Sequence, residues 1–380
     1  MNLALSDEQV FLREAARGAL SRFKTLEAAR EALDGDENAM PDLWPVAKDA
    51  GWPGLLIDED HGGAGLDAFD AMLVMGECGR VIAGIGLLGH LPASAILNAS
   101  PAGAPLLEAL ASGDRRAAYL PVCPPDDIAE GWSADPEHGS TRPGAPAARS
   151  DGEGKARVSG TLAFVPDAPG ADVLVGVAIL EGKPVGVAIE SDAEGVAVEA
   201  LTRYDSTRSL GHVSLSDAPA SVLDAPVEDL EGAWHLAQSL IAAESLGSVE
   251  TALEVSVAYA KERHTFGRAI GSYQAVKHSL TEVLRQLENG RSLLYYAGWA
   301  RNGAPQEFPL AASAARSVGG RALDHAARTM ISVHGGIGAT WEHDAPLYFR
   351  RAQLSRRLLG GTGRASDRVA GELILQADAA

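Results

Sequence analysis

Tyr259-Ala-Lys-Glu-Arg-His-Thr-Phe-Gly-Arg-Ala-Ile-Gly-Ser-Tyr-Gln-Ala-Val-Lys-His278 lies between two segments that read as long helices. The segment before it, Trp234 to Arg263, is mostly apolar in its first half, and the segment after it runs from Tyr273 to about Trp299. Arg263 sits at a helix end, before a turn that contains glycine. A guanidinium so placed can grip a pair of phosphate oxygens. Phe266 adds an apolar face and Gln274 an amide, so the stretch combines the groups that a nucleotide-like cofactor needs.

Working outward, the chain divides into three parts. Residues 226–380 are helical, with a further helix from Pro309 to Val333, and are expected to form a four-helix bundle. Residues 1–115 are helical too. Ser6 can cap a first helix whose apolar positions Val10, Phe11, Ala15 and Leu20 recur near helical spacing. Between them, residues 116–225 hold five short runs rich in Val and Ala, from ARVSGTLAFV (156–165) to GHVSLSDA (211–218), separated by turn residues. No helix-length pattern separates the runs, which predicts an antiparallel sheet or small barrel rather than βαβ units. The expected fold class is therefore α+β, in the order helices, sheet, helices.

Composition narrows the function. The 380 residues carry a formal net charge of −19, which disfavours nucleic acid and anionic lipid as partners. Cys78 and Cys123 lack metal-site spacing, so no metal is expected. No stretch reaches the length of apolar residues that a membrane span requires, and the N-terminus has early acids instead of a signal peptide. The default expectation is a cytoplasmic protein.

Three motifs in order give a more specific reading. The stretch around Arg263, the segment His334-Gly-Gly-Ile-Gly-Ala-Thr-Trp-Glu342, and the N-terminal pair GWPGLLIDEDHGGAGL (51–66) and ECGR (77–80) closely resemble the acyl-CoA dehydrogenase family. The resemblance spans the chain. It implies an FAD-dependent oxidoreductase that removes two hydrogens from the α and β carbons of an acyl-CoA. It also implies that Arg263, Thr265, Phe266 and Gln274, with Gly335 and Gly336, bind the FAD of a neighbouring subunit, and that an electron-transferring flavoprotein is the acceptor. Phe164 could stack on a flavin ring.

The family's chemistry needs a carboxylate to remove the α-proton. Many members carry it in a Glu-Gly-Thr turn, but the matching residues here are Gly360-Gly361-Thr362, and no acid occurs between Asp344 and Asp367. A second family location falls near Ala237 and is empty as well. Glu244 is the only acid between Glu231 and Glu250, placed among small and apolar residues. Burial there would raise its pKa toward that of a general base. A branch of the family acting on bulky, steroid-derived acyl-CoAs resembles this chain in having such a Glu, so Glu244 is the expected base. The other reading is a structural carboxylate paired with an arginine.

The flavin-facing part of the middle domain departs from the family pattern. The loop CPPDDIAEGWSADPEHGS (123–140) does not match, Pro166 has no N–H to offer, and Ser332 stands where a Gln is usual. The neighbour-facing half of the cofactor site is thus complete, and the other half is altered. This predicts a hetero-oligomer with a second, homologous acyl-CoA dehydrogenase subunit. The alternative within that frame is a non-catalytic partner that completes the flavin site of the other chain.

Overall fold

The computed structural model describes residues 4–33, 40–126, 129–135, 142–202 and 204–378. Part of the altered loop, residues 127–128 and 136–140, lies outside the described residues.

Six helices come first: α1 (Asp7–Leu20), α2 (Thr25–Leu33), α3 (Trp44–Asp49), α4 (Ala68–Arg80), α5 (Leu87–Asn98) and α6 (Ala104–Ala111). Ser6 caps α1 as expected, and Gln9 returns the bond to the Ser6 backbone, completing a capping box. Asp67 and Asp70 do the same for α4.

Seven strands follow: β1 (Ala117–Leu120), β2 (Ala147–Ser150), β3 (Lys155–Pro166), β4 (Val173–Leu180), β5 (Lys183–Glu190), β6 (Val196–Ala200) and β7 (Leu210–Leu223). The pairings β4–β2–β3–β7–β5–β4 close on themselves, so the unit is a small barrel, which leaves few open edges. It is not purely antiparallel. β1 and β2 each pair with β4 in parallel. The chain that separates each of them from β4, which includes β3, is long enough to return in the same direction, as parallel partners require. These two strands carry little β-type sequence and were not expected.

The C-terminal part contains α7 (Val227–Glu262), the strand pair β8 (His264–Thr265) and β9 (Arg268–Ala269), α8 (Gln274–Gly303), α9 (Phe308–His334), α10 (Ala345–Ser355) and α11 (Gly361–Asp378). Helix α7 is buried on almost every side from Gly232 to Val249, which explains the continuous apolar and small-residue sequence there. Helices α8, α9 and α11 pack with it as a bundle, with α4 lying against it from the N-terminal part.

The α4–α7 seam is unusually close. A methyl group at Gly79 would overlap the Glu244 backbone carbonyl, and one at Gly247 would overlap the Gly76 carbonyl. Glycine is required here so that the two backbones can touch. Among the described residues, no helix is long and apolar enough to cross a membrane.

Candidate functional site

The Arg263 stretch forms the end of α7, a two-residue hairpin and the start of α8. Arg263 caps α7 in an extended conformation, and its N–H still reaches the Tyr259 carbonyl at 2.8 Å. The chain then pairs Thr265 with Arg268 and turns at Phe266 and Gly267, both with positive φ (51° and 79°). Glycine accepts that conformation freely, whereas phenylalanine rarely does. The turn is braced from below: the Tyr273 hydroxyl donates to the Thr265 carbonyl at 3.1 Å, and the Arg268 guanidinium sits 4.0 Å from the Tyr273 ring centre.

Phe266 is 93% exposed, the most exposed of the large apolar residues. A strained backbone holding an apolar ring in water marks a surface built to meet something. Arg263, Thr265 and Gln274 are exposed beside it, and Arg263 has no ion-pair partner among the described residues.

The Gly335-Gly336 turn joins this surface. Both glycines are exposed at the end of α9, and Gly335 has a φ of 64°. The preceding His334 stacks on Tyr259 of α7, with ring centres 4.3 Å apart. Six of the seven expected cofactor residues are therefore presented at one end of the bundle.

Phe164, the seventh, lines a cavity of about 730 Å³ between the barrel and the C-terminal helices. That volume lies in the range of ordinary ligand sites. The β3–β7 register slips between Leu162 and Val165, and Phe164 at this bulge has a φ of 53°. The bulge turns its ring outward, leaving it 46% exposed beside the edge of His212. Asp135, Arg142, Tyr204, Arg357 and Leu359 line the same cavity.

A base could stand at the loop position or on the cavity wall. At the loop position, Gly360 has a φ of 80°, and a side chain there would meet the Trp234 ring at 3.2 Å and the Arg142 guanidinium at 3.3 Å. A side chain there would be strained by the positive φ and would need those neighbours to give by a few tenths of an ångström. Asp135, the carboxylate on the cavity wall, is held by Arg142 at 2.8 Å.

Glu244 is in neither place. It is 2% exposed and does not line the cavity beside Phe164. One carboxylate oxygen accepts from Arg351 at 2.5 Å and the other from Arg208. Arg351 also donates to Asp205 at 2.6 Å, to the Ile82 and Thr207 carbonyls at 3.2 Å each, and to the Thr207 hydroxyl. Burial alone would push Asp205 up, but Arg351, Thr207 and Arg208 hold it below the usual carboxylate range. Burial would pull Arg351 down, and Asp205 and Glu244 outweigh it, raising the guanidinium. The cluster thus ties α7, α10, the segment after α4 and the segment before β7 into one ionic knot.

Glu244 is a buried acid, and both of its oxygens are occupied by arginines in this structure. A general base must reach the proton that it removes. The arginines Arg208 and Arg351 were missed as its partners. Arg351 lies among Arg350, Arg356 and Arg357 in the sequence, and only the fold turns it inward.

Comparison with known proteins agrees with this architecture. The description "Acyl-CoA dehydrogenase, N-terminal domain" matches residues 6–123, and "Acyl-CoA dehydrogenase, C-terminal domain" matches residues 234–373. Acyl-CoA dehydrogenase IpdE2 of Mycobacterium tuberculosis is 30% identical, with 93% of each chain covered. Acyl-CoA dehydrogenase FadE34 of the same organism is 33% identical over 96% of this chain, yet the chain spans only 48% of that protein. A solved steroid ACAD, the Tcur3481-Tcur3483 G363A variant, is 28% identical, with 98% of this chain and 99% of that chain covered and a TM-score of 0.85.

A helix–barrel–helix fold carrying these motifs defines a class of flavin-linked oxidoreductases acting on CH–CH bonds. The chain belongs to the acyl-CoA dehydrogenase family, whose members bind FAD. The residues present fit that cofactor unequally. The bundle end offers a free guanidinium, an amide, an aromatic face and a glycine turn through which backbone can approach closely. The cavity offers Phe164 as a stacking face.

Proposed function

We propose that this chain is one subunit of a heteromeric, FAD-dependent acyl-CoA dehydrogenase acting on a bulky, steroid-type acyl-CoA. In that assembly it completes the flavin site of a second, homologous subunit. The carrying observation is the hairpin and the helix start after it: Arg263, Thr265, Phe266 and Gln274 are exposed to solvent around a strained, braced turn, and Arg263 has no ion-pair partner among the described residues. Arg263 would hold a phosphate pair of the cofactor, Phe266 would cover its apolar part, and Gln274 would offer its amide. FAD, when bound, supplies the hydride acceptor.

Glu244 serves this reading as an anchor, and the proton-accepting carboxylate comes from the other subunit. Two features of the relatives support a two-chain assembly. FadE34 is about twice as long as its match to this chain, leaving room for a second unit of similar size. The Tcur3481-Tcur3483 steroid ACAD carries two designations in its name, as does the ChsE4-ChsE5 complex of Mycobacterium tuberculosis, whose fold this chain shares at a TM-score of 0.85. A cytoplasmic location, a heterotetramer and an electron-transferring flavoprotein as acceptor complete the proposal.

The deciding experiment measures FAD per protomer, from visible absorbance after release, for the chain alone and with its partner subunit. The expected result is a folded, flavin-poor chain that acquires flavin only in the complex. A full complement in the chain alone would overturn the two-subunit reading.

A further inference from the structure

The loop between α10 and α11 runs through three successive residues with left-handed backbone: Leu359 (φ 49°), Gly360 (φ 80°) and Gly361 (φ 75°). Two are glycines and adopt it freely. Leu359 does not, and such a residue persists only where its surroundings over-determine it. Its neighbours in the loop contribute three bonds: Leu358 N–H to the Ser355 carbonyl at 3.3 Å, Gly361 N–H to the Leu358 carbonyl at 2.9 Å, and Thr362 N–H to the Arg356 carbonyl at 3.0 Å. The rest comes from beneath.

Arg316 of α9 is completely buried and donates one guanidinium nitrogen to two loop carbonyls, those of Ser355 and of Leu358 (3.1 Å). Gln238 of α7, also buried, donates its amide to the Leu359 carbonyl. Two helices of the bundle therefore hold three carbonyls of one short loop. Leu358 and Leu359, the residues so fixed, form part of the wall of the cavity that Phe164 also lines.

Arg316 is a costly way to hold a loop. It has no ion-pair partner among the described residues, and its Nε and Nη1 atoms find no hydrogen-bond acceptor. Burial, reinforced by nearby Arg208 against the opposing Glu244, pulls its guanidinium down to about 9. A charge buried without a counter-ion is among the most expensive features a core can carry. If the position needed only volume, an aliphatic side chain would fill it at lower cost. What Arg316 adds is a donor that reaches two carbonyls at once.

We propose that Arg316 and Gln238 are positioning residues: they hold the Ser355–Leu359 carbonyls so that the loop keeps its left-handed arc and Leu358 and Leu359 keep their places on the cavity wall. This goes beyond the two-subunit reading and stands apart from it, because it concerns the shape of this chain's own cavity. Neither residue touches a reacting group; both act through the loop.

The test is hydrogen–deuterium exchange on the full chain, in complex with its partner where the partner is needed for solubility, reading the peptide that covers residues 355–362. Arg316→Met, which keeps volume and removes the donors, is expected to raise exchange at Gly361 and Thr362 at least about tenfold, since these amides are protected only while the arc persists. Arg316→Lys keeps one donor and should recover part of that protection, which a purely space-filling role would not predict. Gln238→Leu should give a smaller rise in the same peptide. A 5-fluorotryptophan signal from Trp234, whose ring lies against Gly360, should shift or broaden in parallel, assigned by its loss in Trp234→Phe.

A folded Arg316→Met protein with wild-type exchange in this peptide would overturn the proposal. So would a rise spread evenly over α9 and the barrel, or a Lys variant no better than Met. If Arg316→Met does not fold, Gln238→Leu decides: a local rise supports the proposal, and no change sinks it. The FAD content of the chain has no bearing on these outcomes, so failure of the functional reading would be seen separately.

Discussion

The two places where the sequence concentrates chemistry are built in opposite ways. Around Glu244 the charge has been drawn inside and paired: two acids and two arginines from three parts of the chain, with the Ile82 and Thr207 carbonyls accepting from Arg351. Around Arg263 the chemistry has been pushed outward and left unmatched, on a turn whose exposed ring and backbone are both unfavourable in isolation. The first arrangement is complete within one chain. The second makes sense only with something added. An isolated acid on an apolar helix and an isolated arginine at a helix end look alike as sequence signals, and burial with pairing separates them.

The largest expected effect would break this contrast if it failed. Glu244→Gln leaves Arg208 and Arg351 buried with one carboxylate, so unfolding in urea should show a loss of about 3–5 kcal/mol. Turnover per folded, flavin-loaded complex should stay within about threefold of wild type, because a mere anchor does no chemistry. If Glu244 were the base, the loss in turnover would be on the order of a hundredfold or more.

The closed interior should also respond to pH. His90 is fully buried, with Nδ1 accepting from the Ala117 N–H at 3.1 Å and Nε2 facing the Pro53 carbonyl at 3.2 Å. Burial lowers its pKa from the ordinary 6.5 to about 4. The neutral ring is the folded form, and the unfolded chain takes up the proton first as pH falls. Its contribution is therefore complete above pH 6.5 and lost progressively toward pH 4, in all about 3 kcal/mol. Unfolding free energies of wild type and His90→Gln between pH 7 and 4 check this, and the variant should show the flatter profile.

On the open side, Arg263→Ala should leave the stability of the chain within about 0.5 kcal/mol, as for other exposed positions. It should weaken flavin retention in the complex by about 1.5–3 kcal/mol, the range for a hydrogen bond to a charged group. The smallest effect on the isolated chain belongs to Phe266→Gly: a nearly neutral or slightly raised melting temperature, since the left-handed strain is relieved. Association with the partner, followed by sedimentation, should nonetheless weaken, and unchanged association would remove the hairpin from the interface.

Much of the fold was legible because its elements obey one period each. The long helices and five of the seven barrel strands fall where apolar spacing and turn residues put them. β1 and β2 escaped because their sequences, AAYL and AARS, are too short to show alternation, and because parallel pairing is set by distant partners. Of the candidate cofactor residues, the four around the hairpin share one continuous stretch and could be proposed from it. Glu244 was correctly read as buried, but its role depends on arginines 36 positions upstream and 107 downstream in the chain. No local pattern carries such a pairing.

The glycine contacts between α4 and α7 have a mechanical meaning. Where side chains interdigitate, helices can slide by exchanging rotamers. Where backbone rests on backbone at Gly76, Gly79 and Gly247, there is no compliant layer to shear, and the N-terminal helices are fastened to the bundle like two plates riveted together. A bulky molecule cannot be admitted by prising that seam apart. Any breathing of this subunit has to come from its loops or from its contact with another chain, which makes the gap between subunits, and not the joint within one, the natural entrance.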